Sequence, residues 1–290
     1  DPINLAHASI VYMGVTLIGM LLFGEDMWLR YGDSFSIFFR MVSWLSPFTS
    51  ASTGDGFGKE KRPGLWVLLP GTKLLKTGAL PLSGKAFIFL ALASVSFDGL
   101  SRTFWWMGLI GVNPLEHPGR TVLMGVNTLG FLATFAAIVI VFGSAVLLGR
   151  ALAKPTASLH DALTGAAVSI VPIAFGYHLA HYLPAFLVQS QDAVRALSDP
   201  FSLGWDLIGT RDLHVSAALL NNYYSVRVIW NIQAAAIVIA HVVAISVAHA
   251  HALRGAKNRR DILFGQIPMT VMMIGYTLFG LWLLAAPAAG

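Results

Sequence analysis

The chain contains no cysteine among its 290 residues. Thiolate catalysis, disulfide bonds and iron–sulfur or zinc sites with cysteine ligands are therefore excluded. The sequence also has no glycine-rich phosphate-binding loop and no Ser-His-Asp pattern typical of a hydrolase. These absences leave histidine, carboxylate and amide side chains as the candidates for any chemistry.

Charged residues are scarce as well, at 11% of the chain against 56% hydrophobic residues. Soluble domains carry about twice that charged share. The net charge of +5 sits in short loops, and no basic helix or aromatic-interleaved patch appears, so we expect no nucleic-acid partner. Several apolar runs exceed the ~20 residues that cross a bilayer. The composition predicts a polytopic helical membrane protein whose first partner is the lipid bilayer.

We predict an all-α fold, a transmembrane bundle of six or seven spans with interfacial helices, forming one domain over residues 1–290. Because the chain opens on Asp1 rather than methionine, we expect an N-terminal segment to be missing. Residues 34–48 fit either an interfacial amphipathic helix or a short, buried crossing, and 64–82 fit a hairpin or a surface helix. The six predicted spans are residues 4–24, 85–101, 121–149, 159–189, 226–253 and 262–286.

Basic residues concentrate in three segments, 59–85, 150–158 and 254–261. The predicted spans put all three on one side of the membrane, and the positive-inside rule makes that side cytoplasmic. The polar loop 190–222 then lies outside, at the periplasmic face. No internal repeat of the kind found in inverted-repeat transporters is visible.

The apolar stretch 170–189 carries two histidines, His178 and His181. Residues three apart share a helix face, so both imidazoles can point into one cavity. Ionisable groups inside a span are expensive and usually face a bundle interior or a water-filled path. We expect any chemical centre to include this pair.

Depth within the bilayer groups further polar residues with the histidines. With a rise of 1.5 Å per residue, the intramembrane polar residues of four spans fall in the outer half of the bilayer. We therefore predict an outward-facing pocket in which His178, His181 and Asp98 are the candidate metal ligands. Its lining is predicted to be Tyr177, Tyr182, Asn231, Gln233 and Asn127.

His241 is a secondary candidate at a different depth. It falls about 3 Å inward of the membrane centre, which separates it from His178 by about 9 Å of depth. A haem held by these two histidines is therefore disfavoured, and a helix-packing hydrogen bond is an alternative role for His241.

Several interpretations of the polar groups stay open. The two histidines can be hydrogen-bonded core residues, ligands of a metal or cofactor, or a proton or substrate site. Two histidines supply half of a tetrahedral zinc site, and Asp98 could add a third ligand to a zinc or copper ion. Asp98 can equally pair with Arg102, four residues later on the same helix face.

These interpretations give three functional hypotheses, and the sequence does not decide whether the protein is an enzyme. The first is binding and movement of a metal ion or of a proton-coupled solute, with the histidines gaining and losing protons. The second is a metal- or haem-dependent membrane oxidoreductase or monooxygenase component. The third is a non-catalytic subunit of a membrane complex, whose polar groups serve helix association.

Four segments resemble a family of bacterial multi-pass membrane proteins to which no activity is assigned. They are SFDGLSRT (96–103), GYHLAHY (176–182), SDPFSLGWDLIGT (198–210) and WNIQAAAIVIAHVVAISVAHAHAL (230–253). The resemblance implies a bacterial inner membrane and brings no function with it.

Overall fold

A computed structural model describes residues 2–50, 65–113, 122–153, 157–254 and 258–286. Within these ranges, six helices are long and apolar enough to cross a membrane. This confirms the all-α polytopic fold class. The chain divides into two compact units, Asp1–Lys76 and Thr77–Gly290, called here the N-terminal unit and the C-terminal unit. The single domain over 1–290 stays a prediction.

The N-terminal unit has one long helix followed by short elements. α1 (Pro2–Phe23), α2 (Glu25–Tyr31) and α3 (Ser34–Ser43) are followed by strands β1 (Phe48–Ser50) and β2 (Leu65–Val67), which pair antiparallel, and by a 3₁₀ helix, Thr72–Lys76. The ten residues of α3 extend over about 15 Å, half of the ~30 Å hydrocarbon core. Segment 34–48 is therefore too short to cross, and the candidate spans in the described ranges number six rather than seven.

Asp33 holds the start of α3 against α1. Its carboxylate caps α3 by accepting from the Ser36 backbone N–H at 2.7 Å, and it also accepts from the Tyr12 hydroxyl. Burial acts to raise the pKa of Asp33, but the bonds from Ser36 and Tyr12 outweigh it and keep that pKa below its ordinary value. The residue is buried because these donors replace the water that it loses.

The C-terminal unit is a helical bundle. Its elements are α4 (Leu82–Ser101), α5 (Phe104–Leu109), α6 (Met124–Leu152), α7 (Leu159–Ser198), α8 (Ala218–Asn221), α9 (Tyr223–Arg254) and α10 (Arg259–Ala285). α7 packs on α4 and α9, α10 packs on α6 and α9, and α4 packs on α6, so the five long helices close a ring. α7 is the most enclosed of these helices. Of its 18-residue apolar segment, 72% is buried, against 39% of the corresponding segment in α4.

Small residues set the closest helix contacts in the bundle. A side chain at Gly176 of α7 would collide with Ala240 of α9, and one at Gly149 of α6 would collide with the Gly265 carbonyl of α10. Membrane helices associate through small residues because lipid offers no hydrophobic driving force between apolar surfaces.

α7 is longer than the predicted span 159–189. It continues unbroken through Pro172 and Pro184 to Ser198, over 40 residues, which is about 60 Å. The prediction that this helix ends at Gln189 was wrong. It took the polar residues that follow Gln189 as the start of a loop. Residues 190–198 include good helix formers such as Gln, Ala, Arg and Leu, so the helix continues while its surface becomes polar. The predicted loop 190–222 accordingly begins at Asp199 and contains α8.

The bundle has two chemically different ends. The basic end carries Lys85 of α4, Arg150 of α6, Arg254 of α9 and Arg259 of α10. The loop end carries the loop 199–217. The predicted basic segments 150–158 and 254–261 thus share one end, although 154–156 and 255–257 lie outside the described residues, as does 51–64. Which end is cytoplasmic stays a prediction.

Two carboxylates organise the loop 199–217. Asp199 accepts from the backbone N–H groups of Leu203 and Gly204, both at 2.8 Å. Asp206 accepts from the Ser198 hydroxyl at 2.6 Å and from the Arg211 backbone N–H at 3.2 Å. These two donors, Ser198 first, hold the pKa of Asp206 below its ordinary value.

Candidate functional site

An ionisable cluster lies between α4 and α7 near the loop end. Nε2 of His181 donates to Oδ2 of Asp98 at 2.6 Å. Arg102, four residues after Asp98 on α4, donates to the same oxygen at 3.1 Å. Asp98 thus makes the predicted pair with Arg102 and also bonds to a histidine of another helix. We call Asp98, Arg102 and His181 the ion cluster.

The ion cluster is neither buried nor fully open. The exposed side-chain fractions are 21% for His181, 33% for Asp98 and 48% for Arg102. Asp98 lies one turn before the end of α4, so its carboxylate can reach both the bundle and the surface. All three side chains are thus in part accessible from outside the bundle.

Gly99 of α4 lies beside the imidazole of His181. A Cβ at position 99 would lie 3.8 Å from both Cε1 and Nδ1 of the imidazole and 3.5 Å from Leu283 of α10. These are ordinary contact distances, so the glycine sits where α4, α7 and α10 meet. The segment Phe97–Arg102 thus combines a core residue, an acid, a small residue and a base within little more than one turn.

Tyr182 and His178 lie next to the ion cluster. The Tyr182 ring packs edge-on against His181, with centroids 4.8 Å apart, and lies 6.0 Å from the His178 ring. Nδ1 of His178 donates to the Ala174 carbonyl of its own helix at 2.7 Å. The structure thus joins His181 to Asp98 and holds His178 by a backbone bond one turn away.

A second polar group, deeper in the bundle, joins α7, α9, α10 and α4. The Tyr177 hydroxyl donates to the Tyr276 carbonyl at 2.7 Å, and the Tyr276 hydroxyl bonds to the Ser96 hydroxyl. The His241 ring lies 6.0 Å from the Tyr177 ring and 6.5 Å from the Tyr276 ring. We call Tyr177, Tyr276, Ser96 and His241 the inner cluster.

His241 is nearly sealed in the inner cluster, at 3% exposure. Its Nδ1 donates to the Ile237 carbonyl at 2.8 Å. Its Nε2 has no hydrogen-bond partner among the described residues. Ala240 contacts Gly176, so His241 lies roughly level with the turn of α7 that precedes His178.

Sequence reasoning missed Tyr276 and Ser96. A signal was available, since a phenol in the middle of an apolar span needs a partner for its hydroxyl. The partner itself was not readable, because Tyr276 and Ser96 are 180 positions apart. Only the packing of α10 on α4 brings them together.

Three predicted lining residues have other contacts. Gln233 is buried, and its Nε2 donates to the Ala180 carbonyl at 2.7 Å, which ties α9 to α7. Asn127 accepts from Nε1 of Trp106 at 3.1 Å, which ties α6 to α5. Asn231 is exposed on α9. None of these three is bonded to the ion cluster in the hydrogen bonds found between described residues.

The predicted metal site finds no support in the described ranges, where no group of three or more His, Asp or Glu side chains is placed to hold a metal ion. The site with His178, His181 and Asp98 therefore stays a prediction. No protein-family model matches the chain, and no curated protein and no solved structure matches it either. The resemblance to a bacterial family stays a prediction as well. The six apolar helices fit a multi-pass membrane protein.

Proposed function

We propose that the protein moves a small solute or cation across its membrane in exchange for, or together with, a proton bound at the ion cluster. The observation that carries this proposal is the 2.6 Å bond from His181 to Asp98. It joins two helices that are candidate spans. Ionisable residues inside spans are rare and usually mark ion or proton pathways.

The ion cluster changes its net charge with one proton. With a neutral imidazole, Asp98 and Arg102 balance, and the cluster carries no net charge. Protonation of His181 adds one positive charge next to the same carboxylate. Imidazole is the side chain of the three that is best suited to carry such a proton.

The cluster also links proton binding to helix packing. Asp98 belongs to α4 and His181 to α7, so a change in their bond alters the attraction between the two helices. α7 is the most enclosed helix of the bundle and packs on α9 as well as α4. A change at the α4 face of α7 can therefore alter its packing on α9. Coupled transport requires two such arrangements of the bundle.

The inner cluster supports a polar route towards the middle of the membrane. Tyr182 and His178 lie next to the ion cluster. Tyr177, with its bond to α10, lies one residue before His178 and about one turn before His181 on α7. Hydroxyl groups both donate and accept, so Tyr276 and Ser96 extend the same line of polar atoms. His241 ends it with an imidazole nitrogen that has no partner among the described residues.

The proposal is tested with the full chain reconstituted in liposomes that contain a pH-sensitive dye. An imposed pH gradient, clamped electrically with potassium and valinomycin, is applied alone and then with a panel of divalent cations and amino acids. We expect protein-dependent proton flux, and at least a tenfold loss in Asp98→Asn and in His181→Gln.

Asp192→Asn is the matched control. Asp192 pairs with Arg195 at 3.2 Å on α7, a surface Asp–Arg pair with both side chains 53% exposed. Its flux should equal that of the wild type. Wild-type flux in Asp98→Asn, or no protein-dependent flux under any condition of the panel, would reject the proposal in favour of a structural ion pair.

A further inference from the structure

A cavity of about 400 Å³ opens at the basic end, between α6, α7, α9 and α10. Small-molecule sites commonly measure about 300–1,000 Å³, whereas one water occupies about 30 Å³ of liquid. The space is therefore large enough for an organic ligand. It lies at the opposite end of the bundle from the ion cluster.

The cavity walls are built from small residues. Glycines and alanines from all four helices line it, and they leave room that larger side chains would fill. Where small residues serve only close packing, helices meet across them, as α6 and α10 do at Gly149 and Gly265. Next to the Gly149–Gly265 contact, the small residues instead border the open cavity. They include Gly149 of α6, Ala162 and Gly165 of α7, Ala248 of α9 and Gly265 of α10.

Each of the four helices contributes one charge to the cavity lining. Arg150 and Arg254 come from the last turns of α6 and α9, and Asp161 and Asp261 come from the first turns of α7 and α10. Compensation of the helix dipole accounts for the sign of each charge. It does not account for four charges around one open volume. Among the described lining residues, the two signs balance.

Two of these charged groups keep atoms for a ligand. Arg150 uses Nη1 for the Ala157 carbonyl at 2.8 Å, and a guanidinium has five N–H donors. Asp161 accepts from the Ser158 hydroxyl through Oδ2 at 2.7 Å, which leaves its second oxygen. One hydrogen bond thus positions each side chain, and its other donor or acceptor atoms can contact a ligand.

Gln266 adds a donor that lacks an acceptor. Its Oε1 bonds to Nδ1 of His249 at 2.9 Å, which fixes the amide. Its Nε2 is buried and has no hydrogen-bond partner in the described part of the chain. Buried polar atoms are nearly always satisfied. Gln266 lines the cavity, so this unpaired donor lies in the wall around the open space.

We propose that this cavity binds a zwitterionic amphiphile, with one primary ammonium and one carboxylate or phosphate on an apolar body. Arginine binds oxyanions through paired N–H groups, and the aspartates offer carboxylates to an ammonium. A ligand with only negative charge meets two carboxylates, and an uncharged one makes no use of the four charges in the lining. The apolar body packs on the glycine and alanine walls. This inference does not depend on proton coupling at the ion cluster.

Two sources can supply this chemistry. One is a phospholipid with an ethanolamine headgroup, since pockets between spans at a basic membrane face bind lipid headgroups. The other is a free amino acid with an apolar side chain. Both present an ammonium and an oxyanion a few bonds apart, so the cavity chemistry is the same and the test separates them.

The experiment measures thermal unfolding of the full chain in a nonionic detergent. Four probes are compared: dioleoyl phosphatidylethanolamine, dioleoyl phosphatidylglycerol, L-phenylalanine and N-acetyl-L-phenylalanine. At hundredfold excess over Kd we expect Tm to rise by roughly 5 °C with the ethanolamine lipid or with phenylalanine. Whichever of the two acts identifies the source. The glycerol lipid and the acetylated amino acid lack the ammonium and should have no such effect.

Ala248→Leu fills the cavity from α9, and Ala250→Leu is its matched control. Ala248 lines the cavity, whereas Ala250 is two residues away and faces about 200° around the helix. The Tm rise should disappear in the first variant and persist in the second. If Ala248→Leu does not fold, Ala162→Leu fills the cavity from α7. An equal rise in a filled variant, an equal rise with the probes that lack ammonium, or no rise with any probe overturns the proposal.

Discussion

Nε2 of His181 and Oδ2 of Asp98 lie 2.6 Å apart, across a separation of 83 positions in the sequence. The bond joins the most enclosed helix of the bundle, α7, to the last turn of α4. Arg102 adds a second donor to the same carboxylate. An acid, a base and an imidazole therefore meet at one point between two candidate spans.

The first prediction concerns the energy of this bond. A double-mutant cycle with Asp98→Asn and His181→Gln should give a coupling of about 1 kcal/mol in unfolding free energy. Hydrogen bonds to charged groups contribute about 1.5–3 kcal/mol, and the partial exposure of both side chains lowers that value. The measurement is reversible unfolding in mixed micelles. The surface pair Asp192–Arg195 should give about 0.5 kcal/mol or less, and equal couplings for the two pairs would contradict the prediction.

The second prediction concerns the contact of α10 with α7. A Cβ at Gly280 would collide with the hydroxyl and ring of Tyr177. Gly280→Ala should therefore destabilise the bundle by about 1–3 kcal/mol, the usual cost of overpacking. Gly275→Ala on the same helix is the control, because its Cβ meets no described atom within 4 Å. Unchanged stability in Gly280→Ala, measured by thermal unfolding, would mean that Tyr177 is not held at this position.

The third prediction separates helix association from ligand binding at Gln233. Its amide donates to the Ala180 carbonyl, so Gln233→Met should lower stability by about 0.6 kcal/mol, the mean for hydrogen bonds between membrane helices. Proton flux should stay within twofold of the wild type. The exposed Asn231→Leu should change neither stability nor flux. A tenfold loss of flux in Gln233→Met would instead return Gln233 to the functional site.

The fourth prediction concerns pH and the loop 199–217. The lowered pKa of Asp206 means that its ionised form stabilises the folded loop above the unfolded pKa of about 3.9. That stabilisation is lost as the pH falls through the lower, folded pKa. Protection of the Arg211 amide against hydrogen exchange should therefore fall steeply on acidification below about pH 4. Asp206→Asn should remove the pH dependence and Asp212→Asn should keep it, and the reverse result would refute the assignment.

The predicted spans show how far patterns in the sequence reach. Apolar length alone located all six candidate spans, because a helix must satisfy its own backbone groups in lipid. Pairing of Asp98 with Arg102 was also readable, since a spacing of four residues is a local property of any helix. The end of α7 was not readable in this way, because a helix that leaves the membrane changes its surface and keeps its hydrogen bonds.

The candidate site, too, was predictable from the sequence only in part. His181 was chosen as an ionisable residue in an apolar stretch, and depth, which follows from helix rise and span limits, added Asp98. Depth could not show that Gln233 bonds to Ala180 and Asn127 to Trp106, because residues at one depth can face any direction around their helices. Rotation of each helix is set by the fit of its neighbours, as at Gly176 against Ala240 and Gly280 against Tyr177.

The sequence by itself determined that this protein fits a membrane with six apolar helices, and which ionisable residues lie within them. Those properties follow from transfer free energies and local spacing, which each segment carries alone. Tertiary structure decided that His181 binds Asp98, that Tyr276 meets Ser96, and that a charged cavity opens at the basic end. These depend on helix rotation and close approach, which arise from the packing of small residues on several helices together.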